Sequence, residues 1–292
     1  MRKLKVSLSR KERHMKPKKI LFITQEMIPY VPETTISQDG RKLPQALQEQ
    51  GFEIRTFMPR WGIINERRNQ LHEVIRLSGM NIIIDDTDHP LIIKVASIPA
   101  ARMQVYFIDN DDYFHKRGLL LDDEGKEYPD NVERAIFYAR GVLETVKKLR
   151  WCPDIIYCQS WISAVTAFYV KTAYREDPPF ANTKVIYTFY DEQPDVKLAT
   201  RFLESLTFRD ANAQTLKQAG IDLNEPDCLP RLGIAFSDAV VEGQSGKRPE
   251  LLDYAQKLGK PVLHAVSPEE AGEKHKQFID QILSEAKPEP AG

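Results

Sequence analysis

The first candidate for chemistry in this chain is EMIPYVPETTISQDGRKLP, residues 26–44, which follows the first apolar run and leads into the first predicted helix. The run ILFI before it predicts a buried strand, and the helical pattern after it ends before Gly51. In an α/β protein a phosphate usually docks at this turn, because glycines there let backbone amides approach it. Here prolines, threonines and the carboxylate of Glu26 stand in the turn instead of glycines. The residue types in this turn therefore argue against a nucleotide site there.

Other patterns for nucleotide or nucleophilic chemistry are missing from the sequence. It has no Walker-type, G-x-G-x-x-G or G-x-S-x-G pattern, and its six histidines show no metal-ligand spacing. Cys152, Cys158 and Cys228 form no C-x-x-C pair, so we expect reduced thiols that pack as small apolar residues. We expect no metal site and no cofactor.

Length and composition are those of an ordinary globular protein. The chain has 292 residues, a formal charge of −1, 42% hydrophobic and 28% charged residues, with both signs mixed throughout. This balance argues against nucleic acid or an anionic membrane as a partner. No apolar run approaches the roughly 20 residues of a membrane span, and the basic N-terminus lacks the apolar core of a secretory signal. We therefore expect a cytoplasmic protein.

The alternation of short apolar runs with longer amphipathic runs predicts the elements that position the turn. Predicted strands are Lys19–Thr24, Glu53–Met58, Asn81–Ile84, Leu91–Ser97, Met103–Ile108, Asp154–Tyr157, Lys184–Phe189, Ala239–Val241 and Pro261–His264. Predicted helices are Ser37–Gln50, Asn131–Leu149, Ile162–Tyr174, Thr207–Ala219, Pro249–Leu258 and a final helix in SPEEAGEKHKQFIDQIL. Several strands are apolar on successive residues, as in parallel strands covered on both faces. The pattern predicts an α/β fold with a Rossmann-like, doubly wound, mostly parallel sheet, and DDTDHP predicts one antiparallel hairpin.

We predict a single domain over residues 18–286, preceded by a disordered basic leader at 1–17 and followed by a disordered tail at 287–292. The polar segment 190–227 predicts an irregular insertion beside the sheet. The charged run at 64–76 predicts either a solvated amphipathic face or a docking surface for a partner.

Four stretches in order resemble the bacterial glycogen synthases and plant starch synthases. The first turn is similar to that family's E-x-x-P-[LF]-x-K-T-G-G-L-x-D-V-x-x-x-L-P, and GFEIRTFMPRWG to its second strand. YPDNVERAIFYARGVLETVKKLRWCPDIIYCQSWISA resembles D-N-x-x-R-F followed by P-D-[IV]-[IV]-H-x-H-D-W-H, and RLGIAFSDAVVEGQS resembles a later motif ending in T-V-S-P. The resemblance covers about residues 18–245.

The resemblance implies the N-terminal half of a GT-B glycosyltransferase. That family transfers glucose from ADP-glucose to the end of an α-1,4-glucan, in a cleft between two Rossmann-like domains. Its N-terminal domain mostly carries the acceptor side, and its C-terminal domain binds most of the nucleotide. The chain ends about where that second domain would begin, so we expect it to lack one.

The family's K-T-G-G turn is changed at the positions that approach the donor phosphates. The lysine aligns with Pro32, the two glycines with Thr34 and Thr35, and the later aspartate with Gln38. Proline brings no charge and no N–H donor, and threonine puts a branched side chain where the backbone must be bare. Four such changes predict that this turn does not hold a nucleotide diphosphate.

A second family motif has also lost its polar groups. H-x-H-D-W-H aligns with YCQSWI at 157–162, so Gln159, Ser160 and Ile162 replace two histidines and an aspartate, and only Trp161 is kept. Isoleucine cannot donate a hydrogen bond to a sugar or to the reacting centre. In the next motif, T-[VI]-H-N, Tyr190 stands at the histidine.

Four matching residues survive, and each has a structural alternative. By resemblance Asp130 is a candidate catalytic residue, and Glu26, Asn131 and Trp161 are candidate glucan-side residues. Alternatively, Asp130 caps a helix in a capping box with Glu133, Glu26 is a solvated loop carboxylate, and Trp161 is a core residue. The same ambiguity between sugar stacking and core packing applies to three other aromatic residues, Tyr30, Trp61 and Tyr113.

The leading hypothesis is a glycogen/starch synthase relative that has lost catalysis and acts as a glucan-binding or regulatory subunit of α-glucan metabolism. The first alternative is the acceptor-side half of a split ADP-glucose-dependent glucosyltransferase. The second is a protein-interaction module that packs on a homo-oligomer or another protein, because an exposed apolar cleft face would favour association.

Overall fold

The first apolar run forms a central strand of the sheet. In the computed structural model, which describes residues 16–285, β1 (Lys19–Ile23) lies between β2 (Glu53–Pro59) and β7 (Ile155–Gln159) and is parallel to both. All of β1 after Lys19 is buried, as expected for a strand covered on both faces.

The strands and helices alternate along most of the chain. The other strands are β3 (His72–Glu73), β4 (Met80–Ile84), β5 (Thr87–Ile98), β6 (Met103–Asp109), β8 (Lys184–Phe189), β9 (Ala239–Glu242) and β10 (Val262–Leu263). The helices are α1 (Thr35–Glu49), α2 (Asn131–Lys148), α3 (Ala164–Lys171), α4 (Phe202–Leu206), α5 (Ala213–Gln218), α6 (Cys228–Ala235), α7 (Pro249–Lys257) and α8 (Ala271–Ser284). The sheet runs β10-β9-β8-β7-β1-β2-β6-β5-β3, with β4 paired to β5. This arrangement confirms the predicted α/β, mostly parallel sheet.

Two apolar layers cover the sheet. On one face, α1 and α8 lie side by side, and Leu43, Leu47, Phe278 and Ile279 pack with Phe22 of β1. On the other face, α2, α3 and α6 form the larger layer. The predicted final helix is therefore α8, and it returns to pack against the strands nearest the first turn.

The predicted hairpin is present at the antiparallel end of the sheet. Strands β4 and β5 pair antiparallel, with Ile84 opposite Thr87. Asp85 and Asp86 form the turn between them. Both turn residues have positive φ, 55° and 62°, which a two-residue hairpin turn of this hand requires and which aspartate tolerates better than most residues.

The connections differ from the predicted ones in three places. The predicted helix Thr207–Ala219 is helical only over α5, because α4 ends at Leu206 and a turn with Arg209 at φ 51° follows it. Helix α6 was not predicted. The charged run at 64–76 forms turns and the short β3 rather than one amphipathic face, and Ile75 within it is 82% exposed.

The cysteine prediction holds for two of the three residues. Cys158 and Cys228 are buried, and burial raises the pKa of the Cys228 thiol to about 12 and that of Cys158 further. Cys152 is exposed, which corrects the expectation for that residue.

The predicted leader lies outside the described residues except for 16 and 17, and the predicted tail lies wholly outside them. Among residues 16–285, no helix combines the length and the apolar composition that a membrane crossing requires.

Candidate functional site

The sheet order changes direction between β1 and β7. From β1 the chain adds β2 and β6 on one side, and from β7 it adds β8, β9 and β10 on the other. Ligands of open α/β sheets bind in the crevice outside the carboxyl ends of the strands at such a switch point. The residues that follow β1 and end β7, at 24–26 and 159–161, therefore mark the candidate site.

Glu26 follows β1 at the switch point and is only 2% exposed. One of its carboxylate oxygens accepts a hydrogen bond from Thr34 Oγ1 at 2.6 Å, and the other accepts one from Gln25 Nε2 at 2.8 Å. The same amide of Gln25 donates to Glu192 Oε1 at 2.6 Å. Burial is the main cause that raises the pKa of Glu26, and the charge of Glu192 raises it further, against the hydrogen bond from Thr34. The solvated-carboxylate alternative for Glu26 is therefore wrong.

The end of β7 joins this cluster through polar side chains at positions where the resemblance places histidines and an aspartate. Thr24 donates to Gln159 Oε1, and Gln159 Nε2 donates to the Tyr190 hydroxyl at 2.7 Å. Ser160 Oγ donates to Gln25 Oε1 at 2.8 Å. Gln159, Ser160 and Tyr190 are all buried. These polar groups bind one another and form an internal hydrogen-bond network at the switch point.

Two further features fix this network. Tyr190 donates to Asp39 Oδ2 in α1 at 2.9 Å, which ties the end of β8 to the helix. Ser160 has φ 69° and ψ 177°, a conformation that side chains strongly disfavour. The surrounding contacts therefore hold the chain sharply bent where it leaves β7.

The N-terminus of α1 is capped by its own side chains. Thr34 Oγ1 accepts from the Ser37 amide at 3.0 Å, and Ser37 Oγ accepts from the Thr34 amide at 2.8 Å, which completes a capping box. The Pro32 carbonyl accepts a hydrogen bond from Ser37 Oγ, and the side-chain amide of Gln38 donates one to the Glu33 carboxylate. The four positions predicted to be degenerate, Pro32, Thr34, Thr35 and Gln38, thus lie on or beside a helix start whose donors are partly used.

A pocket of about 400 Å³ opens beside this helix start. Its walls come from α1, from the residues after β8 and from the turn after β9. The lining residues are Thr34, Thr35, Ile36, Tyr190, Asp191, Glu192, Gln244 and Lys247. We call it the switch-point pocket. A larger pocket of about 860 Å³, lined by residues between Val196 and Asn224, shares none of these residues.

Asp130 and Asn131 begin α2 and are held by contacts within the chain. Asp130 forms a bidentate ion pair with Arg117, in which Arg117 Nη1 donates to Asp130 Oδ2 at 2.7 Å. Its side chain makes no hydrogen bond that caps the helix. Asn131 donates to the Leu120 carbonyl and accepts from Arg134. The capping-box alternative for Asp130 is therefore wrong, because the carboxylate is already bound to a guanidinium.

Trp161 lies in the core and is only 1% exposed. Its indole Nε1 has no hydrogen-bond partner among residues 16–285. Tyr30, Trp61 and Tyr113 are buried as well, and the indole of Trp61 donates to the Gln25 carbonyl at 2.7 Å. Stacking on a sugar needs an exposed ring face, so the geometry of Trp161 fits the core alternative.

Gln25, Glu192, Gln244 and Lys247 belong to the site and were not predicted. Gln25 and Glu192 are 167 residues apart in the sequence, and only the parallel pairing of strand ends brings them together. Within residues 16–285, no cluster of three or more histidine, cysteine, aspartate or glutamate side chains has the geometry to hold a metal ion.

The starch synthase catalytic domain family matches residues 19–255. The chain belongs to this family. A glycogen synthase of Chlorobaculum tepidum is 38% identical over 174 residues, which are 59% of this chain and 36% of the relative. A glycogen synthase of Chlorobium limicola is 34% identical over 231 residues, 76% of this chain and 47% of the relative. The aligned part thus spans less than half of either relative.

The fold agrees with that of a solved starch synthase catalytic domain. Starch synthase IV from Arabidopsis thaliana, in a structure with ADP and acarbose, matches with a TM-score of 0.60 and 17% identity, over 86% of this chain and 52% of that one. This chain therefore shares the α/β architecture of about half of that chain.

The raised pKa of Glu26 gives the family member a pH-dependent term in its stability. The folded state holds this proton more tightly than the unfolded state, so stability should fall as pH rises from 4.5 through the raised pKa, and stay lower above it. Glu26→Gln lacks this ionisation. We expect the free energy of unfolding of the variant, relative to wild type, to increase between pH 4 and pH 7.5.

Urea unfolding at the two pH values measures this difference. Glu33→Gln, an exposed carboxylate in the same turn, is the matched control and should show a smaller change. An equal difference between Glu26→Gln and wild type at both pH values would contradict the effect of burial on Glu26.

Proposed function

We propose that this protein binds α-glucan without using ADP-glucose as a glucosyl donor, as a catalytically deficient member of its family. It would act as a glucan-binding or regulatory subunit of glycogen or α-glucan metabolism. We further propose a cytoplasmic location, in keeping with three unpaired cysteines among residues 16–285.

The observation that carries this proposal is the chemistry of the first turn. Residues 24–38 contain two glutamates and no lysine or arginine. Thr34 and Ser37 already use backbone donors of the helix start, and Glu26 lies directly behind Thr34. A diphosphate here would meet carboxylate charge, and two like charges about 4 Å apart near a protein surface repel by about 4 kcal/mol.

Among residues 16–285, Lys247 is the one basic residue that lines the switch-point pocket, and Asp191 and Glu192 line it too. A single ammonium among two carboxylates leaves the pocket with net negative charge. That balance supports a neutral ligand rather than a nucleoside diphosphate.

A turnover assay tests the loss of catalysis. The purified chain is incubated with radiolabelled ADP-glucose and glycogen, with an active glycogen synthase as the positive control. We expect no transfer of label above background. Turnover of roughly 1–1000 per second, the ordinary range of enzymes, would contradict the proposal.

The second candidate is the acceptor-side half of a split glucosyltransferase. It is favoured by the retention of Glu26 and Asp130 at positions where the family keeps them. It requires a separate chain that supplies the donor domain. Co-purification with such a chain, and transfer only in the mixture, would replace our first proposal with this one.

A third possibility is a protein-interaction module that forms a homo-oligomer or binds another protein. Light scattering at tens of micromolar, with and without glycogen, separates it from glucan binding. A monomer that associates only with glycogen supports the first proposal.

A further inference from the structure

The switch-point pocket has unused polar groups on several of its walls. Thr35, Asp191, Gln244 and Lys247 line it, and their side chains form no hydrogen bond or ion pair with any residue in the range 16–285. One carboxylate oxygen of Glu192 accepts a hydrogen bond from Gln25, and the other forms no hydrogen bond or ion pair with residues 16–285. The pocket therefore offers a hydroxyl, an amide, an ammonium and carboxylate oxygens to a ligand.

These groups match a polyhydroxylated ligand. A sugar hydroxyl both donates and accepts, so it can donate to a carboxylate and accept from an amide or an ammonium at once. Bonds to charged groups are the stronger ones, and they fix orientation in a small pocket. Ile36 and Tyr190 also line the pocket, but both are buried, so its exposed lining is mainly polar.

The charge of the pocket decides between a sugar and an anion. Asp191 and Glu192 outnumber Lys247, and the buried Glu26 lies behind Thr34 on the same side. The volume of about 400 Å³ falls within the usual range for small-molecule sites, roughly 300–1,000 Å³. The pocket thus has space and hydrogen-bonding groups for one sugar residue and repels a phosphate.

We propose that the switch-point pocket binds one uncharged sugar residue of an α-glucan, with Asp191, Glu192 and Gln244 as the groups that select its hydroxyls. This inference rests on the proposed glucan binding and adds its location. The site would thus sit at the start of α1, at the aligned position of the family's phosphate-binding turn.

Calorimetric titration with maltohexaose tests the location. Asp191→Ala and Gln244→Ala each remove a group without a partner in the described chain, so both should fold normally, as thermal unfolding will verify. We expect each to weaken binding about tenfold or more, in keeping with the loss of a hydrogen bond to the ligand. Asp253→Ala, an exposed carboxylate on α7, is the control and should leave binding unchanged.

Lys247→Glu separates a sugar from an anion. A neutral sugar held mainly by carboxylates and the amide should lose less than tenfold, whereas an anionic ligand would lose its only lysine and most of its affinity. Titration with ADP in parallel should show no binding to wild type. Tighter binding of ADP than of maltohexaose would overturn the inference.

The remaining outcomes separate this inference from the proposed function. If wild type binds maltohexaose and both alanine variants bind it equally well, the glucan site lies elsewhere, and this inference fails while glucan binding stands. If wild type does not bind maltohexaose, the proposed function fails as well.

Discussion

Arg134→Lys will destabilise the protein by about 3 kcal/mol or more, because one ammonium cannot replace the contacts of this buried guanidinium. Arg134 is fully buried and donates to the carbonyls of Gly118 and Leu119 at 2.6 Å and to Asn131 Oδ1 at 2.8 Å. Each buried acceptor left without a donor costs about 1–3 kcal/mol, and lysine lacks the planar fork that reaches all three.

The aromatic contacts of Arg134 add to this loss. Its guanidinium lies 4.7 Å from the ring centre of Trp61 and 4.9 Å from that of Tyr128. Burial, with the neighbouring charge of Arg117, lowers the pKa of Arg134 to about 9. The site therefore disfavours the charged form of the side chain. A lysine there would be deprotonated more readily than an arginine and would stack less well.

Chemical unfolding of Arg134→Lys measures the effect, with Arg140→Lys as the control. Arg140 lies on the same helix, donates to the Ile83 carbonyl and stacks on Phe208, but it is only half-buried, so water can replace its contacts. We expect the control to lose about 1 kcal/mol or less. Equal losses in the two variants would contradict the role given to Arg134.

Gly40→Ala will destabilise the protein, although the same change inside most helices is stabilising by about 1 kcal/mol. A Cβ at residue 40 would lie 2.1 Å from the Glu26 carbonyl oxygen and 2.9 Å from Thr24 Oγ1. Backbone cannot rotate away as a side chain can, so α1 would have to move from the first turn. We expect a loss of about 3 kcal/mol, the upper end of the usual cost of overpacking.

Gly141→Ala is the matched control, a buried glycine in the middle of α2. Its Cβ would meet the ends of the Ile108 and Leu91 side chains at 3.0 Å, and these can give way. Chemical unfolding of both variants should show a loss at residue 40 that exceeds the change at residue 141 by about 2 kcal/mol. A Gly40→Ala variant as stable as wild type would show that α1 is not seated against the first turn as described.

The sheet was predictable because its signals are local. Each central strand is a short apolar run, and DD at 85–86 predicted a turn whose positive φ values the structure shows. Those patterns depend on residues a few positions apart, so no knowledge of the tertiary contacts was needed.

The connections were less predictable, because the signals for a helix were weak there. The run CLPRLGIA contains both proline and glycine, which lower helix propensity, yet α6 forms. Pro230 stands in its first turn, where no intrahelical donor is lost, and Gly233 allows contact with the Tyr187 ring. Tertiary packing therefore outweighed local propensity.

The site itself could be located but not described from the sequence. The altered turn was evident at Pro32, Thr34 and Thr35, whereas the partners of Gln25 and Thr24 stand 167 and 135 residues away. The prediction that Asp130 caps a helix failed for the same reason, because the competing Arg117 contact is not visible in local spacing.

Native gel electrophoresis in the presence and absence of glycogen tests whether the protein binds glucan at all. The purified chain is run beside a protein that does not bind glycogen. We expect clear retardation of the chain in the glycogen gel and no change for the reference protein. Equal mobility of the chain in the two gels would contradict glucan binding and direct the search to a protein partner at the switch-point pocket.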